Sequence, residues 1–169
     1  MLTIRYSKII VVLSCVLLGG LPGINNILDY DVNLVHVQHV MMMDTHVLET
    51  SVAGWRSIES PFLQYTAYIL IILAELSILV IGIWGVLDLW KVRHNAEHFN
   101  ARKSKAILAL SLGVLVWFTG FLVIGGEWFL MWLSEDWNSQ QAAFRLVLPF
   151  ILGLIYLSMK DEDIPEIQN

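Results

Sequence analysis

Charged residues are scarce in this sequence. Asp, Glu, Lys and Arg make up 15% of its 169 residues, whereas hydrophobic residues make up 57%. Soluble domains carry about 25% charged residues, so a soluble core of this size cannot absorb the apolar excess. We therefore expect the bilayer to solvate much of the surface. Cys15 is the single cysteine, which excludes an intramolecular disulfide and any zinc or iron–sulfur site that needs several cysteines.

Catalytic motifs are also missing. The chain contains no His-Glu-x-x-His, no Gly-x-Ser-x-Gly and no glycine-rich phosphate loop, and Cys15 lies within an apolar run. No histidine lies inside a long apolar run, which disfavours a haem held between helices. We therefore expect no enzyme activity, no catalytic residues and no cofactor.

Four apolar runs are each long enough to cross a bilayer. They predict one all-α membrane domain over residues 1–169, a four-transmembrane-helix bundle with a small extracytoplasmic cap formed by the 1–2 and 3–4 loops. The helices are expected at about 9–28, 61–90, 105–127 and 139–159, the outer loops at 29–60 and 128–138, and the cytoplasmic loop at 91–104. A cleaved signal peptide is the alternative for the first run, but no small-residue cleavage site follows it.

Basic residues are distributed unevenly between the predicted loops. Eight of the ten Lys and Arg residues lie before the first run, in the segment 88–105, or in the tail. The positive-inside rule then predicts that both termini are cytoplasmic. Anionic lipid headgroups explain the basic segment better than nucleic acid does, so we expect lipid partners and no nucleic-acid partner. The acidic tail Lys160–Asn169 is predicted to be frayed.

Tryptophans and polar residues cluster in the segment 125–145, which joins the last two runs. Tryptophan prefers the membrane interface, so this segment predicts a corner at the membrane surface. Glu127 and Arg145 lie at the edges of their helices and could pair there. A ligand pocket lined by Glu127, Trp128, Gln141 and Arg145 is one interpretation, and a packing corner with an ion pair is the other.

Glu75 is the single charged residue of the stretch Tyr65–Leu87 within the second run. It lies about 21 Å along the predicted helix from Pro61, near the bilayer midplane. A charge at that depth is costly, so the carboxyl is expected to be neutral or turned to a partner, with Ser14 and Thr119 at similar depth. A proton or cation site and a hydrogen-bonding tie between helices both remain open.

Histidines are concentrated in the first outer loop. His36, His39, Met43 and His46 would share one face of a helix, and such ligands suit copper or zinc. Ordinary surface histidines and a methionine-rich packing face explain the same pattern. Asp31 could cap a short helix there, although the alternation at residues 35–38 also fits a strand.

Four motifs resemble those of a known family. They are T-I-R-Y-S-K at the start, V-Q-H-V-M-M-M-D-T in the first outer loop, G-G-E-W-F-x-M-W at the corner and W-N-x-Q-Q-A-A-F-R entering the last helix. These motifs are similar to those of the DUF2165 family of predicted small integral membrane proteins of bacteria. The resemblance implies a multi-pass protein of the bacterial inner (plasma) membrane, with no established activity and no catalytic residues to carry over.

Together these features favour a non-catalytic accessory or scaffold subunit that acts through protein and lipid contacts. Its expected partners are membrane lipids and proteins of a membrane complex, or further copies in a homo-oligomer. The alternative is a transporter or a ligand- or metal-binding membrane protein that uses Glu75, Glu127, Arg145 and the outer-loop histidines.

Overall fold

The computed structural model describes residues 2–163, which fold almost entirely into helices. Four helices are long and apolar enough to cross a membrane, so the predicted all-α bundle with four spans is confirmed. The described part of the chain contains no strand. Within it, the α-helices are α1 (Leu2–Leu28), α2 (Tyr30–Met42), α3 (Ala53–Arg56), α4 (Pro61–Val92), α5 (Ala96–Ala101), α6 (Ser104–Val114) and α7 (Gln140–Ser158).

The spans extend beyond the apolar runs from which the sequence predicts them. The first span, α1, begins at Leu2 rather than near residue 9, and the second span, α4, continues to Val92. A cation in the extension of α1 has partners, because Arg5 donates to the carbonyl oxygen of Arg93 at 2.7 Å and pairs with Asp163. A helix whose charges are satisfied at the end of the bundle can continue past the hydrocarbon boundary.

The third span changes its winding halfway. α6 ends at Val114, and Leu115–Trp128 continues as a π-helix, in which each N–H bonds to the carbonyl five residues back. The N–H of Phe129 still donates to the carbonyl oxygen of Ile124 at 3.0 Å. A π-helix has more residues per turn than an α-helix, so it directs side chains differently from the 3.6-residue period. α4 packs along α6 but contacts the π-helical segment at few positions.

The core lies where α1, α4, α6 and α7 meet. Its fully buried side chains include Val12, Ile78, Leu110 and Phe150. α1 approaches α4 closely at Gly23, where a Cβ atom would lie 2.9 Å from the Cβ of Glu75. Small residues thus bring these two backbones together, as they do in other membrane helix pairs.

The connection between the first two spans contains a helix, α2. It begins directly after Asp29, which holds the cap position, so Asp31 lies in the first turn instead of capping the helix. Met43 ends α2 in a left-handed conformation (φ 54°), and its N–H donates to the carbonyl oxygen of His39 at 3.0 Å. The strand alternative for residues 35–38 is therefore wrong.

The two predicted outer loops meet at one end of the bundle. The N–H of Val47 donates to the carbonyl oxygen of Leu133 at 2.9 Å, and the hydroxyls of Thr45 and Ser134 are 2.9 Å apart. We call this end, formed by residues 29–60 and 129–139, the loop end.

The opposite end, formed by the start of α1 and residues 93–103 and 159–163, is the tail end. Lys8 and Lys103 both donate to Asp161 Oδ2 at 2.7 Å, and both donate to the carbonyl oxygen of Met159, at 2.5 and 2.8 Å. Asp161 is only 6% exposed, so the tail is packed at this position rather than frayed. The rest of the predicted frayed segment Lys160–Asn169, residues 164–169, lies outside the described residues.

Candidate functional site

An apolar crevice lies between α2, α4 and the π-helical segment. Its volume is about 680 Å³, within the range of about 300–1,000 Å³ that small-molecule sites occupy. Residues 67–74 of α4 and 115–125 of the π-helical segment line its two walls. Leu70, Leu115 and Ile124 belong to these walls and are between 47% and 60% exposed. The crevice therefore opens sideways, between two spans and towards the lipid.

His36 is the single titratable residue among those that line the crevice. Burial, and then the charge of nearby His39, lower the pKa of His36 below its usual value of 6.5. The imidazole is therefore mainly neutral at neutral pH. Its Nε2 lies 3.2 Å from the Ser139 hydroxyl, which gives it a hydrogen-bond partner. The crevice walls thus carry no formal charge and suit a hydrocarbon rather than an ion.

Arg56 lies beside the mouth of the crevice, against two tryptophan rings that meet edge to face with their centroids 5.7 Å apart. Its guanidinium carbon is 4.9 Å from the ring centroid of Trp55 and 4.7 Å from that of Trp128. Arg56 Nη1 donates to the carbonyl oxygen of Trp128 at 3.2 Å and, more weakly, to that of Glu127 at 3.5 Å. We call Arg56 with these two rings the Arg56 clamp. Trp128 also lines the crevice, so the clamp and the crevice are continuous.

The corner predicted at residues 125–145 does not bring its four candidate site residues together. Among residues 2–163 no ion pair joins Glu127 to Arg145, and the side chains of Glu127, Gln141 and Arg145 are all exposed. Of the four predicted residues, only Trp128 lines the crevice. Both side chains are exposed, so each charge is solvated by itself and neither needs the other as a partner. The prediction that these two residues interact is therefore corrected.

Sequence reasoning missed Arg56 as a site residue. It lies in the connection between the first two spans, 69 positions before the start of the segment 125–145 on which the site prediction is centred. Two signals in the sequence point to it. Arg56 directly follows a tryptophan, and it is one of only two basic residues in the part of the chain that forms the loop end and its adjoining helix ends.

Two of the four candidate metal ligands have other partners. His39 Nδ1 lies 2.9 Å from an Asp44 carboxylate oxygen, and its ring stacks on Trp137 with centroids 4.7 Å apart. His36 meets the edge of the same Trp137 ring at 5.6 Å and bonds to Ser139. The helical spacing does place both histidines on one face of α2, as predicted. The indole of Trp137, from the connection between the last two spans, occupies that face.

The other two candidates lie beyond the end of α2. Met43 is buried and adopts the left-handed conformation that terminates the helix. His46 pairs with Ser134 in an isolated antiparallel bridge. Within residues 2–163, no group of three or more His, Cys, Asp or Glu side chains is placed to hold a metal ion. The one-face arrangement of His36, His39, Met43 and His46 is therefore not formed, because the helix ends before its last member.

Glu75 is buried between α1 and α4 and has an amide partner. Asn26 Nδ2 donates to Glu75 Oε2 at 2.7 Å, and Asn33 Nδ2 donates to Asn26 Oδ1 at 2.6 Å. In the described part of the chain, neither Ser14 nor Thr119 bonds to this carboxyl. Asn26 was overlooked because it lies near the end of a charge-free run. The resulting chain of side-chain bonds ties α1, α2 and α4 together, and Glu75 does not line the crevice.

The comparisons with known proteins agree with this architecture. Residues 4–160 match the model of the family described as predicted small integral membrane protein (DUF2165). Comparison with curated proteins and with solved structures gave no match. The family match covers all four spans and most of the chain. This chain therefore belongs to the DUF2165 family of predicted small integral membrane proteins.

Proposed function

We propose that this protein is a non-catalytic membrane protein that binds lipid in its crevice and acts as an accessory or scaffold subunit of a membrane assembly. The observation that carries this proposal is the crevice itself, which is apolar and lies between two spans. Catalysis needs polar groups beside a space for the substrate. Two candidate acid–base groups are instead bonded to internal partners, Glu75 to Asn26 and His39 to Asp44.

A hydrocarbon chain is the occupant that the crevice favours. Apolar walls left without contacts lose their dispersion energy, and an unfilled space of this size is costly. Lipid chains surround the spans at high concentration, so one can enter sideways past Leu70 and Leu115. A transporter built on Glu75, Glu127 and Arg145 is less well supported, because none of the three lines the crevice.

The proposal can be tested by counting the lipid that the full-length protein retains in mild detergent, using native mass spectrometry. Gly120 lines the crevice, and a Cβ atom there would meet only the Leu115 carbonyl oxygen, at 3.9 Å. Gly120→Leu therefore fills the crevice without displacing the core. We expect it to weaken lipid binding by about tenfold or more, the effect of losing about 1.4 kcal/mol of contacts.

Gly54→Leu is the matched control. A Cβ atom at Gly54 has no neighbour within 4 Å, and the residue lies outside the crevice. The same side chain is added at both positions, so a general effect of extra hydrophobic surface would change both variants equally. Equal lipid retention by Gly120→Leu and Gly54→Leu would contradict the proposal.

For the localisation, we propose the bacterial inner membrane, with the tail end in the cytoplasm and the loop end outside. The support is the bias of basic residues, eight of ten of which lie at the tail end or in the adjoining ends of α4 and α6. Reporter fusions at Asn95 should then be active only as cytoplasmic reporters, and fusions at Glu49 and Asp136 only as external ones. An external reporter signal at Asn95 would invert the topology. The predicted cytoplasmic position of the last residue, Asn169, lies outside the described residues.

A further inference from the structure

The Arg56 clamp holds a cation whose hydrogen-bonding capacity is not used up. Arg56 Nε is buried and has no hydrogen-bond partner among the described residues. No carboxylate in the same part of the chain forms an ion pair with Arg56. The two indole rings pack on one side of the guanidinium, because their centroids are only 5.7 Å apart. Within residues 2–163, Arg56 Nη2 has no hydrogen bond either and, unlike Nε, is not buried, so it is the donor that an anion can reach.

The guanidinium suits one class of anion in particular. Its planar donors match the oxygens of a phosphate, often with two parallel hydrogen bonds. The carbonyls of Glu127 and Trp128 fix Nη1, which pre-orients the rest of the fork. Tryptophan rings lie where lipid headgroups meet the hydrocarbon, so Trp55 and Trp128 place the clamp at headgroup depth.

The clamp and the crevice form one continuous surface. Trp128 packs on the guanidinium and also lines the crevice, and Ile58, two residues after Arg56, lines it as well. A ligand that fills both parts must carry a long apolar chain close to an anionic group. A membrane phospholipid has this construction, with its phosphate one glycerol away from its acyl chains.

We propose that this surface is a binding site for a glycerophospholipid, with an acyl chain in the crevice and the phosphate on Arg56. The inference rests on the proposed function, because it takes the crevice to hold a lipid chain and adds recognition of the headgroup. The charges of the loop end favour a zwitterionic headgroup, since many acidic groups would repel a net negative one. The acidic residues of the loop end and adjoining helix ends are Asp29, Asp31, Asp44, Glu49, Glu59, Glu127, Glu135 and Asp136, against Arg56 and Arg145.

The test compares two lipids that differ only in the headgroup. Full-length protein is offered phosphatidylethanolamine, or diacylglycerol with the same chains, and the bound lipid is quantified by native mass spectrometry. We expect wild-type protein to bind phosphatidylethanolamine about tenfold more tightly, which corresponds to about 1.4 kcal/mol, the order of one charge-assisted hydrogen bond. Arg56→Gln should remove this preference.

Arg145→Gln is the matched control, because it neutralises the other arginine near this end, whose side chain is exposed and does not line the crevice. It should leave the preference unchanged. Arg56→Lys keeps the charge but loses the Nε–H and the planar fork, so the preference should fall severalfold. If Arg56→Gln does not fold, Arg56→Lys tests whether Arg56 recognises the headgroup.

Several results would overturn the proposal. Equal binding of the two lipids by wild-type protein would exclude headgroup recognition, and so would an unchanged preference in Arg56→Gln or Arg56→Lys. Gly120→Leu separates this failure from failure of the proposed function. If Gly120→Leu weakens binding of both lipids while the Arg56 variants have no effect, the crevice binds an acyl chain but Arg56 does not bind the phosphate. If Gly120→Leu weakens neither, the crevice is not a lipid site, and both proposals fall.

Discussion

Replacing Asp161 with Asn is expected to lower the free energy of unfolding by about 3–5 kcal/mol, the usual cost of removing one partner from a buried ion pair. Asp161 is shared by Lys8 and Lys103, which are 1% and 5% exposed. Burial lowers the pKa of Lys103, and Asp161 opposes that shift. Without the carboxylate, two buried ammonium groups would face each other with only amide and carbonyl oxygens as acceptors.

The pH dependence of this loss identifies its cause. Burial works against the ionised form of Asp161, but the hydrogen bonds from Lys103 and Lys8 and the attraction of their charges together outweigh it, so its pKa lies below the ordinary value of 3.8. A carboxyl with a lowered pKa contributes its full stability above the ordinary value and loses it as the pH falls through the folded-state pKa. The difference between wild type and Asp161→Asn should therefore be full at about pH 6 and shrink below about pH 4.

Thermal unfolding of the two proteins in detergent, measured across this pH range, checks the prediction. Asp136→Asn is the control, because it makes the same chemical change at an exposed carboxylate of the loop end. Surface substitutions of this kind usually change stability by less than about 0.5 kcal/mol. A similar loss in both variants, or a loss in Asp161→Asn that does not depend on pH, would show that the shared ion pair is not its source.

Replacing Gly85 with Leu should also be severely destabilising, by about 3 kcal/mol or more. A Cβ atom at Gly85 would lie 2.6 Å from the backbone nitrogen and 2.9 Å from the Cα of Ala106. Both are backbone atoms of α6, so no side-chain rotation can relieve the overlap, and α4 and α6 would have to separate. This contact joins the second and third spans near the tail end, on the side where they pack most closely.

The comparison with Gly54→Leu isolates the steric effect. Nothing lies within 4 Å of a Cβ atom at Gly54, so the same substitution there should leave the unfolding temperature nearly unchanged. Replacing glycine inside a helix raises helix propensity by about 0.5–1 kcal/mol, which works against the predicted loss at Gly85. A Gly85→Leu protein that is as stable as wild type would show that α4 and α6 are not in backbone contact at this position.

The sequence by itself determined the class of protein and its four spans. Each span is a local run of apolar residues, and the hydrophobic requirement of a bilayer crossing can be read from such a run without knowing what it packs against. The same runs coincide with the four long apolar helices and with the family match over residues 4–160. The runs did not determine where the helices end, because Arg5 and Arg93 find their partners only at the assembled tail end.

Helix α2 shows a conformation that the local sequence alone does not determine. The period of residues 30–42 is weak, so the same letters fit a helix or a strand. Leu34 of α2 packs against Tyr68 and Ile72 of α4, and this burial is available only once the second span is in place. Packing of this kind often decides between local conformations that differ little in free energy.

Only the tertiary structure decided which polar groups meet. Glu75 was recognised from its depth in the sequence, but its partner Asn26 depends on how α1 and α4 are rotated about each other. Arg56 meets Trp128 because the connection between the first two spans and the connection between the last two fold onto one end. The composition of a segment shows how apolar it is. The crevice and the position of Arg56 beside it depend instead on how the helices rotate about their axes, cross one another and wind, which only the packed structure determines.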